Sequence, residues 1–83
     1  MTVKEIFQFA YQGISAKIES LEKEIKQGYF YINQINDGKK IPTKLTKYEI
    51  LDIIHEKEAE MKRLENEKFT IKWQIEVEMK DQN

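Results

Sequence analysis

The sequence predicts an all-α fold, in which two long helices form an antiparallel, coiled-coil-like hairpin. Three observations predict it: two helix-start signals, a cluster of turn formers between them, and an apolar repeat on either side. Thr2 with Glu5, and Thr46 with Glu49, each fit a capping box, in which the threonine side chain accepts from a backbone N–H and the glutamate reaches back. We therefore expect helices that begin near residues 3 and 47.

The two predicted helices are separated by the segment Asn36-Asp37-Gly38-Lys39-Lys40-Ile41-Pro42, where turn-forming residues cluster. Pro42 removes a backbone donor and biases the residue before it away from helical geometry. The prediction is a single helical domain over residues 1–83, with helix 1 at about 3–35, a turn at 36–45 and helix 2 at about 47–80.

Both predicted helices carry apolar residues at alternating spacings of four and three, the repeat that keeps one seam between two supercoiled helices. This apolar repeat is interrupted at Gly28 in the first helix and at Lys57, Lys68 and Glu78 in the second. The two seams span equal lengths, 7–35 and 50–78, so they can lie side by side. The apolar seam residues are Phe7, Tyr11, Ile14, Ile18, Leu21, Ile25, Ile32, Ile35, Ile50, Ile54, Met61, Leu64, Ile71 and Ile75.

Two features leave a mixed α-β-β-α-β fold open as the alternative. Gly28 follows two lysines, which is how many helices end, so helix 1 would be broken there. Residues 69–79 alternate apolar and polar side chains, the period of a half-buried strand. We favour the helix because neither glycine nor proline separates this segment from the helical run before it.

Composition excludes several classes of site. The 83 residues contain no cysteine and one histidine, which excludes disulfides and a structural zinc site of the usual tetrahedral kind. His55 has Asp52 and Glu58 three residues away on either side, but a dinuclear carboxylate bundle needs a second histidine. Nucleophile-elbow and phosphate-loop motifs are absent from the sequence. We therefore predict a protein that is not an enzyme and has no metal or cofactor.

An apolar surface is predicted on the side of helix 2 away from the seam. Phe69, Trp73 and Val77 form a stripe there, near Phe9 and other apolar residues of the N-terminus. Large aromatic residues are frequent anchors of protein interfaces. We predict that this surface binds a second copy, as a homodimer in a four-helix bundle, or an unidentified partner protein. The arm from His55 to Met79 resembles the dimerising coiled-coil helices of bacterial regulators in its heptad composition.

Nucleic-acid binding through the turn is the alternative function. Lys39, Lys40, Lys44 and Lys47 lie close together, with aromatic residues nearby that could stack on bases. The neighbouring segment 49–67 is acidic, and the chain has a net charge of −1, which argue against phosphate binding by charge alone.

The cellular context is predicted from composition. The sequence has no apolar run of the roughly 20 residues that cross a bilayer, so we expect no membrane partner and a cytoplasmic location. Lysine outnumbers arginine 13 to 1, and isoleucine occurs 12 times. This bias is common in proteins of AT-rich genomes and favours a bacterial, phage or mobile-element origin.

Overall fold

The computed structural model shows an antiparallel hairpin of two helices. It describes the backbone of residues 2–81 and the side chains of residues 2–77. Helix α1 spans Val3–Asn36 and helix α2 spans Lys47–Asp81. Each helix therefore runs one residue past its predicted end. The molecule measures 61 × 18 × 15 Å, which is the length of one helix extended by the turn and the width of two helices. The predicted all-α hairpin is confirmed.

Both helices begin with the predicted capping boxes. The Glu5 backbone N–H donates to Thr2 Oγ1 over 3.2 Å, and the Thr2 N–H donates to Glu5 Oε2 over 3.4 Å. At the second start, the Glu49 N–H donates to Thr46 Oγ1 over 3.2 Å, and the Thr46 N–H donates to Glu49 Oε1 over 3.4 Å. Each box satisfies backbone donors that have no partner within the helix.

The end of α1 and the turn are held by backbone hydrogen bonds. The Gly38 N–H donates to the Ile35 carbonyl (3.0 Å), and the Lys39 N–H donates to the Gln34 carbonyl (2.9 Å). This pattern is a Schellman motif, which needs the left-handed conformation that Gly38 adopts at φ 75°. Ile41 then packs against the core and directs the chain back towards α2.

The buried core occupies only part of the hairpin. One cluster of buried isoleucines lies beside the turn and contains Ile25, Ile32, Ile50 and Ile54. A second cluster lies farther from the turn and contains Ile18, Leu21 and Leu64. We call residues 18–64 the turn half, and residues 2–17 and 65–77 the open half. All the buried hydrophobic side chains among residues 2–77 belong to the turn half.

Gly28 does not break α1, so the interruption that the alternative fold required there is wrong. A Cβ atom at this position would lie 2.6 Å from Ile54 Cγ1 and 2.8 Å from Ile54 Cδ1, closer than carbon atoms approach without strain. Ile54 is the most deeply buried described side chain, at 1% exposure. Gly28 therefore allows the two helices to approach closely, and Ile54 occupies the space that a larger residue would fill.

The mixed fold with a strand at 69–79 is also wrong, because α2 continues through this segment. Asn66 does not stop the helix, and its carbonyl accepts a hydrogen bond from the Thr70 hydroxyl over 3.1 Å. Helix extension is cooperative, and a weak stop without glycine or proline does not overcome it. Neither helix, within the described residues, is apolar enough over a sufficient length to cross a membrane.

Candidate interaction surface

The structure places every apolar residue of the predicted seam in a buried or half-buried position. The buried members lie in the turn half, and the members of the open half are half-buried. Packing therefore weakens along the seam from the turn towards the free ends. Glu78, the last seam position, has a side chain outside the described residues. The half-buried seam residues are Phe7, Tyr11, Ile14, Ile35, Met61, Ile71 and Ile75.

The two lysines at seam positions both contact the opposite helix. Lys57 forms an ion pair with Glu24, and both side chains remain partly exposed. Lys68 lies over the ring of Tyr11, with its Nζ atom 5.1 Å from the ring centroid, a cation–π contact. The seam is thus continued by polar contacts where apolar side chains are missing.

A groove begins at the last buried layer of the turn half and extends over one face of the open half. It has a volume of about 380 Å³, and its α1 wall contains Tyr11, Ile18 and Glu22. Its α2 wall contains Glu65, Lys68, Phe69 and Lys72. An apolar floor with charged edges is the usual composition of a surface that binds another protein. Sequence reasoning missed this groove, because its α1 wall is identified only when the register of the two helices is known.

Two aromatic side chains are exposed next to the groove. Phe69 is 71% exposed and Trp73 is 53% exposed, and together with Lys72 and Glu76 they line a second, smaller hollow of about 100 Å³. Val77, the third residue of the predicted stripe, is half-buried. The exposed apolar area of the stripe is therefore contributed mainly by the two aromatic rings.

Phe9 is also exposed, at 61%, but it lies on a different side of the hairpin. It is two residues away from both Phe7 and Tyr11, whose side chains face α2. At about 100° per residue, the Phe9 side chain points roughly 200° away from those two. Tyr11 lines the groove together with Phe69, so Phe9 is directed away from that surface. The structure therefore separates Phe9 from the stripe that sequence analysis placed beside it.

The lysine-rich turn presents three of its four lysines to solvent. Lys39, Lys40 and Lys44 are exposed, whereas Lys47 is half-buried and its Nζ atom donates to Asn36 Oδ1 over 2.8 Å. Lys47 therefore ties the start of α2 to the end of α1. Tyr48 lies next to it and is 78% exposed.

A hydrogen bond between the helices in the turn half was also missed by sequence reasoning. The Tyr29 hydroxyl donates to Glu58 Oε1 over 3.0 Å. This bond to the carboxylate is the main reason that the pKa of Tyr29 is raised above its ordinary value, with smaller contributions from burial and from the charge of Glu58. The antiparallel register could have identified this pair, since both residues flank the seam at the same level.

The histidine considered as a metal ligand is exposed on α2, as is Asp52 on the preceding turn. Among the side chains that the structure describes, histidine, aspartate and glutamate residues form no cluster of three or more that could hold a metal ion. Comparisons with protein-family models, with curated proteins and with solved structures found no match to this chain.

Proposed function

We propose that this protein is a small, non-enzymatic interaction module that self-associates and regulates or inhibits a partner protein by binding to it. The observation that carries the proposal is the exposure of Phe69 and Trp73 on the open half, beside an apolar groove. Monomeric proteins rarely leave large contiguous apolar patches uncovered, and such patches commonly mark interaction sites.

The thin core of the open half supports the same proposal. A hairpin of two helices buries one stripe of each helix, and small domains often gain the rest of their stability by association. Pairing of two hairpins into a four-helix bundle would cover the half-buried seam and the aromatic side chains together.

A double substitution of the exposed aromatic residues tests this proposal. Phe69→Ala with Trp73→Ala should weaken self-association or partner binding by about 2 kcal/mol or more, since aromatic anchors carry much of the energy of an interface. Analytical ultracentrifugation across a range of concentrations measures self-association. Tyr48→Ala is the matched control, because it removes an exposed ring at the other end of the hairpin. Unchanged association of the double variant would contradict the assignment of this surface.

We also propose a cytoplasmic location, in a bacterium or in one of its phages or mobile elements. The support is compositional, from the excess of lysine over arginine and the abundance of isoleucine. Small helical proteins of this kind are frequent in phages and plasmids, where they bind proteins of the host or of the phage.

Nucleic-acid binding through the turn is a second candidate function. It is favoured by the exposure of Lys39, Lys40 and Lys44 beside the exposed Tyr48 ring, a combination that suits phosphate contact with base stacking.

Replacing these three turn lysines with glutamine should weaken binding of single-stranded DNA and flatten its dependence on salt, because fewer counterions are released. Fluorescence anisotropy at several salt concentrations measures both effects. The matched control replaces three exposed lysines of α1, Lys17, Lys23 and Lys26, with glutamine, which changes the net charge equally. Equal losses in the two variants would exclude a site at the turn.

A further inference from the structure

We propose that the groove of the open half binds the same groove of a second copy, with the two hairpins antiparallel about a twofold axis through the groove. This inference rests on the self-association proposed above and specifies its face and orientation. In a twofold dimer, a surface patch contacts its own copy, so the patch must be complementary to itself after rotation.

The charges around the groove have this property. Glu65 lies at the end of the groove nearer the turn, where Glu22 of the opposite wall also lies. Lys68 and Lys72 follow on α2 towards the open end. Glu65 and Lys72 are seven residues apart, or about 10 Å along the helix. One end of the groove is therefore acidic, and the other end is basic.

This polarity distinguishes the two ways in which equivalent faces can meet. A twofold axis perpendicular to the helices reverses the second hairpin, so the acidic end of each groove lies against the basic end of the other. A twofold axis along the helices brings acidic ends together and basic ends together, and like charges across an interface disfavour association. Charge complementarity therefore favours the antiparallel arrangement, with α2 of one copy along α2 of the other.

The apolar side chains fit the same arrangement. The midpoint between Glu65 and Lys72 lies at residues 68–69, so the twofold axis passes beside Phe69. Each Phe69 ring, which is exposed in the single hairpin, then lies at the centre of the interface against the groove of the partner. Glu65 of each copy meets Lys72 of the other, so this ion pair occurs twice. A central aromatic residue flanked by charged pairs is a common anatomy for a protein interface.

Charge exchange between Glu65 and Lys72 tests the arrangement. Glu65→Lys alone, or Lys72→Glu alone, places like charges together twice in the homodimer and should weaken it by about tenfold. An equimolar mixture of the two single variants restores both ion pairs, and so should form a heterodimer of near-wild-type affinity. The chain that carries both substitutions should regain the homodimer. Sedimentation velocity gives the affinities, and circular dichroism shows that each variant keeps its helix content.

Phe69→Glu and Phe9→Glu form a matched pair that tests the choice of face, since both replace an exposed phenylalanine in the open half. Phe69→Glu should abolish the dimer, and Phe9→Glu should leave it unchanged. Loss of the dimer in the Phe9 variant alone, or failure of the mixed single variants to associate, would overturn the proposed interface while self-association itself stands. A wild-type chain that is monomeric at every concentration would instead overturn the proposed self-association, and the interface with it.

Discussion

The two halves of this hairpin use the same helices and the same seam spacing, but they are stabilised differently. In the turn half, buried isoleucines pack at close range, and Gly28 lets the helices approach until Ile54 is almost fully enclosed. In the open half, the seam residues are half-buried, a lysine takes a seam position over Tyr11, and large aromatic side chains face solvent. The two halves therefore differ in the packing of the seam, whereas exposed aromatic side chains occur in both, including Tyr48 at 78% in the turn half. The proposed association would complete the packing of the open half.

The largest effect is expected from shortening a buried isoleucine in the turn half. Ile54→Ala should lower the free energy of unfolding by about 2–5 kcal/mol, because it leaves a cavity that the packed helices cannot fill. Ile71→Ala in the open half should cost less, since its side chain is already half-exposed. Urea denaturation at low protein concentration measures both.

Ile54→Val is a milder substitution at the same buried position, and it should lower the free energy of unfolding by about 0.5–1.5 kcal/mol. This variant keeps its fold, so it extends the comparison if Ile54→Ala does not fold. Equal losses at the two positions for the alanine substitutions would contradict the proposed difference between the halves.

The two glycines of α1 allow the same substitution, glycine to alanine, to be compared at two positions that differ in packing. Gly13→Ala should raise the free energy of unfolding by about 1 kcal/mol, because alanine favours the helix and its Cβ has open space around it. Gly28→Ala makes the same gain, but its Cβ overlaps Ile54, an overlap that costs about 1–3 kcal/mol. The difference between the two variants measures the overlap. It would be close to zero if the helices did not approach closely at Gly28.

A smaller effect is expected from the ion pair between Lys57 and Glu24. A double-mutant cycle with Lys57→Met and Glu24→Gln should give a coupling energy of about 0.2–1 kcal/mol, since both side chains are partly exposed. The coupling should fall as salt is added. The absence of a coupling energy at low salt would show that this ion pair does not stabilise the seam.

The smallest effect on stability is expected from Tyr29. Its hydroxyl donates to Glu58, which stabilises the neutral phenol and raises the pKa of Tyr29. The contribution is therefore present below the ordinary pKa of tyrosine and is lost as pH rises through the higher pKa of the folded state. Ultraviolet titration of the folded protein should show that Glu58→Gln lowers the pKa of this tyrosine. Tyr29→Phe identifies its signal, and an unchanged titration would contradict the hydrogen bond.

Much of the fold could be predicted from sequence because its signals are local. The capping boxes at Thr2 and Thr46 and the turn at Gly38 each depend on residues within a few positions, and all three occur as those residues predict. Gly28 could not be interpreted in this way, because the reason for a glycine there lies in Ile54 of the other helix. A sequence pattern does not distinguish a glycine that ends a helix from one that admits a neighbour.

The candidate surface was harder to predict for the same reason. The exposed positions of Phe69 and Trp73 follow from helical spacing once α2 is known to continue through residues 69–79. The groove also needs Tyr11 and Glu22 from the opposite helix, and their proximity depends on tertiary register. Phe9 is close to the stripe along the length of the hairpin, but its direction around α1 separates it from the groove.

Hydrogen exchange measured at protein concentrations below and above that of self-association tests the difference between the halves most directly. We expect backbone amides at residues 5–17 and 65–77 to exchange more slowly as concentration rises, because the proposed second copy would cover the open half. Amides at residues 21–33 and 51–62 should change much less, since their packing is complete in one chain. Protection that increases equally in both halves, or only in the turn half, would contradict the account.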